Sequence, residues 1–342
     1  MSEDRQITVI AGGVGAAKFL RGLLGVYPNE LVTAVVNVAD DFRLHGLAIS
    51  PDLDTVTYTL SEQVNPATGW GRVGETWRVR DELERLGGQT WFNLGDLDLA
   101  LHLYRTQRLD EGATLTQVSL EICTRLGIKA QVLPASNQEI RTQLKVRGQG
   151  WVDFQDYFVA QQHSVAVEDL RFEGIESASP GPEVISSLKQ SDAIVIAPSN
   201  PFVSVRPVLE ISGVADVLRE RRDEVVAISP IVGGAALKGP ASRMLEELGF
   251  ERNSVGIASL YKNIAGTLVI DEVDTELTPR VEAEGIRPLV TDTIMDTPIR
   301  AAALAEAVLA EFSWNEEEPV SYTHLRAHET DSYLVCRLLR EK

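Results

Sequence analysis

The stretch ITVIAGGVGAAKFLRGLLGVYPNELVTAVVNVADD, Ile7 to Asp41, decides the fold. ITVIAGG is a short apolar run that stops in glycines, and AAKFLRGLLGVY carries its apolar residues at helical spacing. LVTAVVNVADD is a second apolar run, of the fully buried type, ending in two aspartates. Strand, turn, helix and strand begin a parallel α/β sheet, and such sheets place ligands at the carboxyl ends of their strands. The glycine turn and Asp40–Asp41 both fall at that edge. A Gly-rich turn opening a helix presents backbone N–H groups and the positive end of a helix dipole to an anion.

Four aspartates, Asp40, Asp41, Asp52 and Asp54, follow within fifteen residues. Carboxylates beside an anion site can hold the Mg²⁺ that phosphate chemistry uses. The conjunction points to an enzyme acting on a phosphorylated or nucleotide-like substrate. Asp40, Asp41 and Asp54 are the expected metal ligands, with Asp41 and Asp54 in catalytic roles. Each piece also has a plainer reading. Asp is common in turns and caps. Gly12, Gly13 and Gly15 lie in GGVGAAK, which is neither G-x-G-x-x-G nor G-x-x-x-x-G-K-[ST]. Lys18 is either a phosphate ligand or a solvated lysine of the first helical turns.

Further along, three more apolar runs end in polar, Gly- or Pro-rich turns: DAIVIAPSNP, EVVAISPIVGG and GTLVIDEVD. Between about Thr55 and Thr124 the pattern is helical, and a small α+β excursion follows it. The expected fold is therefore α/β, with a Rossmann-like, mainly parallel sheet, helices on both faces, and a helical and α+β insertion at about 55–175. Residues 1–319 are read as one domain.

Two further segments carry chemistry. In WFNLGDLDLALHLYRT (Trp91–Thr106), a helix from Asp98 puts Asp98, His102 and Arg105 on one face. His102 is then a base or phosphate donor, or else a packing histidine. In APSNPFVSVRP (Ala197–Pro207), Ser199 or Asn200 caps the next helix, and the same geometry offers donors to an anion. There is no G-x-S-x-G elbow, H-E-x-x-H helix or cysteine cluster, so serine-hydrolase, zinc-hydrolase and iron–sulfur readings lack support.

Val320 to Lys342 stands apart. VSYTHLRAHET and YLVCRLL resemble the translation of a transposon-based sequencing adapter, and the natural C-terminus is expected to be replaced there. The whole chain has 32 Lys and Arg against 50 Asp and Glu, a net charge of −18. The tail holds four basic and three acidic side chains, so the remainder carries −19. Excluding it leaves one cysteine, Cys123, and three histidines, His45, His102 and His163. A lone cysteine forms no internal disulfide and no thiolate zinc set, which fits a reducing cytoplasm. No run is apolar enough for a bilayer span. The acidity argues against nucleic acid or anionic membranes as main partners.

The ordered series AGGVGAAKFLRGL, VVNVADDFRLHGLAISPDLDTVTYTL, WFNLGDLDLALHLYRT, VLPASNQEIRTQ, FQDYFV, APSNPFVSVRPVL, SPIVGGAALKGPASRML and DTIM resembles the 2-phospho-L-lactate transferase family of deazaflavin (coenzyme F-420) biosynthesis. The resemblance covers roughly residues 7 to 310. It implies transfer of a phospholactyl-type group from a guanosine diphosphate-linked donor to the terminal hydroxyl of the deazaflavin precursor Fo. GMP is released and Mg²⁺ is required. Bacterial members are associated with a phosphoenolpyruvyl donor. The family loop reads G-G-x-G-G-A-[KR], and here Ala16 stands in place of a glycine. The substrate-binding set that follows is Gly12, Gly13, Gly15, Lys18, Asp54, Asn93, Asp96, His102, Arg105, Pro198, Ser199, Asn200, Lys238 and Gly239. Trp70, Trp91 and Phe92 are stacking surfaces for a flat ring or simply core. A homodimer is an expected assembly. The alternative is a non-catalytic nucleotide-sugar-binding regulator of a paralogous branch. A dinucleotide-dependent oxidoreductase is disfavoured for want of the standard glycine fingerprint and its acidic ribose partner.

Overall fold

Seven parallel strands form the centre of the protein. In the computed structural model, which describes residues 5–160, 165–236 and 239–312, they are β1 (Ile7–Ala11), β2 (Val32–Val36), β3 (Gln131–Pro134), β4 (Ala193–Ile196), β5 (Val225–Ile228), β6 (Thr267–Asp271) and β7 (Arg287–Thr291). Their order is β3-β2-β1-β4-β5-β6-β7. Every residue of β1, β2, β4, β5 and β6 is buried. Alternate residues of a strand face opposite sides, so both faces are covered, and Val, Ile and Ala run through these strands without polar alternation. This is the expected Rossmann-like α/β sheet.

The order fixes the ligand position. Register runs from Ile7↔Val32 to Ala11↔Val36 on one side of β1, and from Ile7↔Ala193 to Ile10↔Ile196 on the other. The chain winds outward from β1 to β3 and then returns to the far side of β1 as β4. That reversal opens a crevice at the carboxyl ends of β1 and β4. Helix α1 (Gly13–Val26) leaves β1 there and packs on α2 (Pro51–Leu60) and on the helix Pro298–Ala310.

Two excursions leave the sheet. After β2 come the hairpin Phe42–Leu44/Leu47–Ile49, α2, and the helices α3 (Arg78–Arg85), α4 (Asp96–Asp110) and α5 (Leu115–Arg125). Tyr58, Leu101, Val118 and Ile122 form their core. Thr114 and Gln117 close a reciprocal capping box at the start of α5. After β3 comes an antiparallel sheet of Arg141–Val146, Gly150–Asp153 and Val167–Glu173. The stretch 55–175 is thus not one continuous insertion, because Gln131–Pro134 returns to the central sheet in register with β2. Likewise VDFQDYFVAQQ is a strand only to Asp153, and Asp156–Ala160 coils helically. The adapter-like tail, 320–342, lies outside the described residues. Among the described residues no helix is long and apolar enough to cross a membrane.

Candidate active site

The crevice between β1 and β4 is built from short polar ties. β1 ends in Gly12, and Gly13 turns into α1 with φ +68°, a left-handed conformation that glycine adopts without strain. Ser199, beyond β4, donates its hydroxyl to the Gly12 carbonyl at 2.8 Å. Asn200 caps the next helical turn, its Oδ1 accepting from the N–H groups of Phe202 (3.0 Å) and Val203 (3.5 Å). Its Nδ2 lies 3.6 Å from Met244 Sδ. The Asn200 side chain and the Ser199 hydroxyl are thus engaged with the chain itself, and the Pro198–Asn200 turn offers a ligand mainly its backbone.

Asn37, just past β2, is the hub of the acidic residues. Its Oδ1 accepts from Ala39 N–H at 3.0 Å, and its Nδ2 donates to Asp52 Oδ2 at 3.0 Å and to the Val203 carbonyl at 3.3 Å. Asp52, in the first turn of α2, also accepts the Gly13 N–H, so its carboxylate lies against the glycine turn. Burial pushes its carboxyl up to about 6, opposed by the Asn37 and Gly13 hydrogen bonds. Asp40 is buried in the wall beside it. Desolvation first, then the charges of Asp52 and Asp41, push Asp40 well above the carboxylate range. Thr142 and Gln155 of the second excursion hold this loop, through Thr142 Oγ1 to Asp40 Oδ1 (3.5 Å) and Gln155 Nε2 to the Asp40 carbonyl (3.3 Å).

Asp54 is differently employed. Arg105 grips it with both guanidinium nitrogens, one of them 3.1 Å from Asp54 Oδ2, and the pair is buried. The same guanidinium lies 3.2 Å from His102 Nδ1 and donates to the Ala48 carbonyl at 3.3 Å. The helical reading of Asp98, His102 and Arg105 therefore holds, and that face points inward to Asp54. Removing the guanidinium would leave a buried carboxylate uncompensated, a loss of about 3–5 kcal/mol. Arg105→Met should unfold at markedly lower urea concentration than the parent protein. An unchanged midpoint would show that water reaches Asp54 and replaces the arginine.

These residues border a cavity of about 890 Å³. Its wall includes Gly12, Gly13, Gly15, Lys18, Asp40, Asp52, Asp54, Asn93, His102, Pro198, Ser199, Asn200 and Gly239 of the expected or adjoining set. Three expected residues are not in that wall. Asp41 sits behind it, accepting from Ser50 Oγ at 2.7 Å, with its buried Oδ1 lacking a hydrogen-bond partner and its carboxyl raised by burial. Arg105 acts from behind through Asp54. Asp96 is turned outward, bonded to Thr76 Oγ1 and to Val79 N–H. Lys238 lies outside the described residues. Of the aromatic residues, Trp70 and Phe92 reach the cavity, whereas Trp91 packs on Phe42 and Phe92 with centroids 5.9 and 5.7 Å apart.

The expected triad Asp40–Asp41–Asp54 is therefore not gathered as three free carboxylates. Among the described residues no three His, Cys, Asp or Glu side chains form a ready metal cage. Asp40 and Asp52 are the pair that share Asn37, and the charge of Asp52 adds to burial in raising the proton affinity of Asp40. Mg²⁺ commonly takes one or two protein carboxylates and completes its octahedron with water and phosphate oxygens. Hard oxygen donors crowded together fit that ion. Asp52 was one of the four aspartates, but the sequence did not say which of Asp52 and Asp54 would face the glycines. Residues two apart on a helix point in different directions. Once Ser50–Pro51 is seen to start α2, only one can face them. Asn37 and Gln155 gave no sequence signal.

Comparison with known proteins gives the family of the chain. The family model described as 2-phospho-L-lactate transferase CofD matches residues 7–309. The chain is 38% identical over 309 residues to the phosphoenolpyruvate transferase of Streptomyces griseus, covering 89% of this chain and 97% of that protein. It is 36% identical over 306 residues to the 2-phospho-L-lactate transferase of Methanocaldococcus jannaschii, again covering 89% and 97%. Among solved structures, the Bacillus halodurans protein BH3568 superposes with a TM-score of 0.63 at 18% identity, over 90% of this chain and 100% of that one, a likeness of fold.

Proposed function

The chain belongs to the 2-phospho-L-lactate transferase CofD family, and from that premise we propose that it carries a phospholactyl or phosphoenolpyruvyl group from a guanosine diphosphate-linked donor to the terminal hydroxyl of Fo, releasing GMP, in coenzyme F-420 biosynthesis. The observation that carries the reading is the meeting, in one cavity, of a glycine turn at a helix N-terminus with the buried pair Asp40 and Asp52. Attack of a hydroxyl on a diphosphate phosphorus is catalysed mostly by placement and charge neutralisation. The backbone N–H groups of the Gly12–Gly15 turn and of Ser199, with Lys18, take the phosphate oxygens, the Ser199 hydroxyl donating instead to the Gly12 carbonyl. Asp52, beside the glycine turn, would hold Mg²⁺, which when bound offsets the charge of the diphosphate. The hydroxyl proton passes to Asp40, which burial and the neighbouring charges hold well above the carboxylate range, while Asp54 stays gripped by Arg105. His102 and Arg105 keep Asp54 in place, and the exposed Trp70 offers the flat ring a stacking face.

Mixing the protein with Fo, each guanosine diphospho-donor in turn and Mg²⁺, and following GMP, tests the proposal and separates the three-carbon acids. Donor binding without GMP release would instead make the chain a nucleotide-binding regulator.

The Mg²⁺ assignment has its own readout. The Asp52 carboxyl is raised in the folded protein from 3.8 to about 6, so folding takes up a proton between those values. Stability from this group is present at low pH and is lost as pH rises to about 6. Above that, the charged carboxylate disfavours the fold and a cation relieves it. Mg²⁺ should therefore raise the melting temperature at pH 8 and do little at pH 5. Equal shifts at both values would place the ion elsewhere.

A further inference from the structure

Asp98, in the same cavity wall, has no part in the phosphate chemistry above, yet its carboxylate is held by several neighbours. It stands in the first turn of α4, its side chain 14% exposed. Tyr58, itself buried, donates its hydroxyl to Asp98 Oδ1 at 2.5 Å, and His102 Nε2 lies 3.4 Å from the same oxygen. From below, Glu75 accepts the backbone N–H groups of Leu97 (2.9 Å) and Asp98 (2.8 Å), pinning the start of the helix. Arg72 lies over the Tyr58 ring at 5.5 Å and donates to the Leu97 carbonyl at 3.3 Å, so the phenol cannot swing away. Among the described residues no hydrogen bond ends on Asp98 Oδ2, and Asp98 is part of the cavity wall.

The same wall also carries Trp70, 47% exposed, Phe92 and Asn93. An exposed indole and a phenyl ring lining one cavity offer stacking faces to a flat heterocycle. A fixed carboxylate with one oxygen committed and one open accepts a single N–H well. Guanine presents two adjacent donors, N1–H and N2–H, which call for both oxygens of a carboxylate. A pyrimidinedione edge presents one N–H between two carbonyls, which calls for one open carboxylate oxygen and an amide donor, and the wall holds both in Asp98 and Asn93.

We propose that Asp98 is a specificity-determining residue that accepts the imide N–H of the acceptor's flat ring, stacked against Trp70 and Phe92, with Tyr58 and His102 as its positioning residues. Burial alone would push its carboxyl up, but His102, Tyr58 and Arg105 together hold it below the ordinary value. It therefore stays an acceptor at neutral pH and is a poor base. A buried acceptor left facing a methyl group loses its bond outright, on the order of ten- to a hundredfold in binding.

The inference rests on the reading of Fo as acceptor, and its test keeps the two apart. Binding and kinetics are compared for Fo and for an analogue methylated at the imide nitrogen, in the wild type, Asp98→Asn and Tyr58→Phe, each checked for folding by circular dichroism. The wild type should favour Fo over the methylated ring by about ten- to a hundredfold, with the difference in KM for the acceptor. Asp98→Asn should reduce that preference to near unity while leaving KM for the guanosine donor unchanged. Tyr58→Phe, which keeps the carboxylate but unlocks it, should give an intermediate preference. Full discrimination retained in Asp98→Asn, or a change confined to the donor's KM, overturns the assignment. Absence of Fo binding by the wild type defeats the functional reading itself, and this inference with it.

Discussion

Asp52→Asn should abolish most of the turnover and cost the protein no stability. The substitution keeps the shape of the side chain and one oxygen to accept from Asn37 or Gly13, and removes the charge that would hold Mg²⁺ against the diphosphate. Loss of one preorganised electrostatic contact to a developing charge lowers turnover by about 10²–10³. A residue kept for packing would be missed on unfolding as well. Here the sign is reversed, because the buried carboxylate is proton-hungry: burial raises it to about 6, so at pH 8 its charge works against the fold. The variant should melt at the same temperature as the parent or higher at pH 8, and should lose the Mg²⁺-dependent rise. Asp41→Asn, behind the wall and bonded to Ser50, should be the milder change. Turnover of Asp52→Asn within a few-fold of wild type would remove Asp52 from the site.

The contrast between Asp52 and Asp54 shows where the sequence stopped being readable. β1, α1 and β2 were legible because a buried parallel strand needs apolar residues on both faces and writes a continuous run. The strands β4, β5 and β6 follow the same rule. β7 does not: Arg287–Thr291 is an edge strand, mostly half-exposed, with Pro288 in its second place, and it reads like a loop. Gln131–Pro134 looked like part of an excursion because its helical and antiparallel neighbours surround it. The acidic cluster was legible as composition and its division of labour was not. Whether a carboxylate meets Arg105, Ser50 or the glycine turn depends on the phase of α2 and on a partner 51 residues away. The same holds for Asn200, whose capping role and ligand role call for the same residue at the same place.

Two glycines of one helix make the strongest test of the crevice itself, because propensity treats them alike and the structure does not. Alanine is favoured over glycine in a helix by roughly 0.5–1 kcal/mol. At Gly25 a Cβ would meet nothing within 4 Å, so Gly25→Ala should realise that gain as a small rise in melting temperature. At Gly15 a Cβ would stand 2.1 Å from the carbonyl oxygen of Pro198. That oxygen belongs to the backbone between β4 and the Asn200 cap, and it cannot rotate aside as a side chain does. Gly15→Ala must therefore push α1 away from the Pro198–Asn200 turn, opening the contact on which the Ser199–Gly12 hydrogen bond depends. Overpacking against fixed backbone belongs to the large class of single-residue effects, and a fall in melting temperature of about 10 °C or more is expected. Whatever folded protein remains should bind the diphosphate donor poorly, since the glycine turn and Ser199 no longer meet. A Gly15→Ala protein as stable and active as Gly25→Ala would mean that the two loops do not touch, and that the phosphate site lies elsewhere on the sheet.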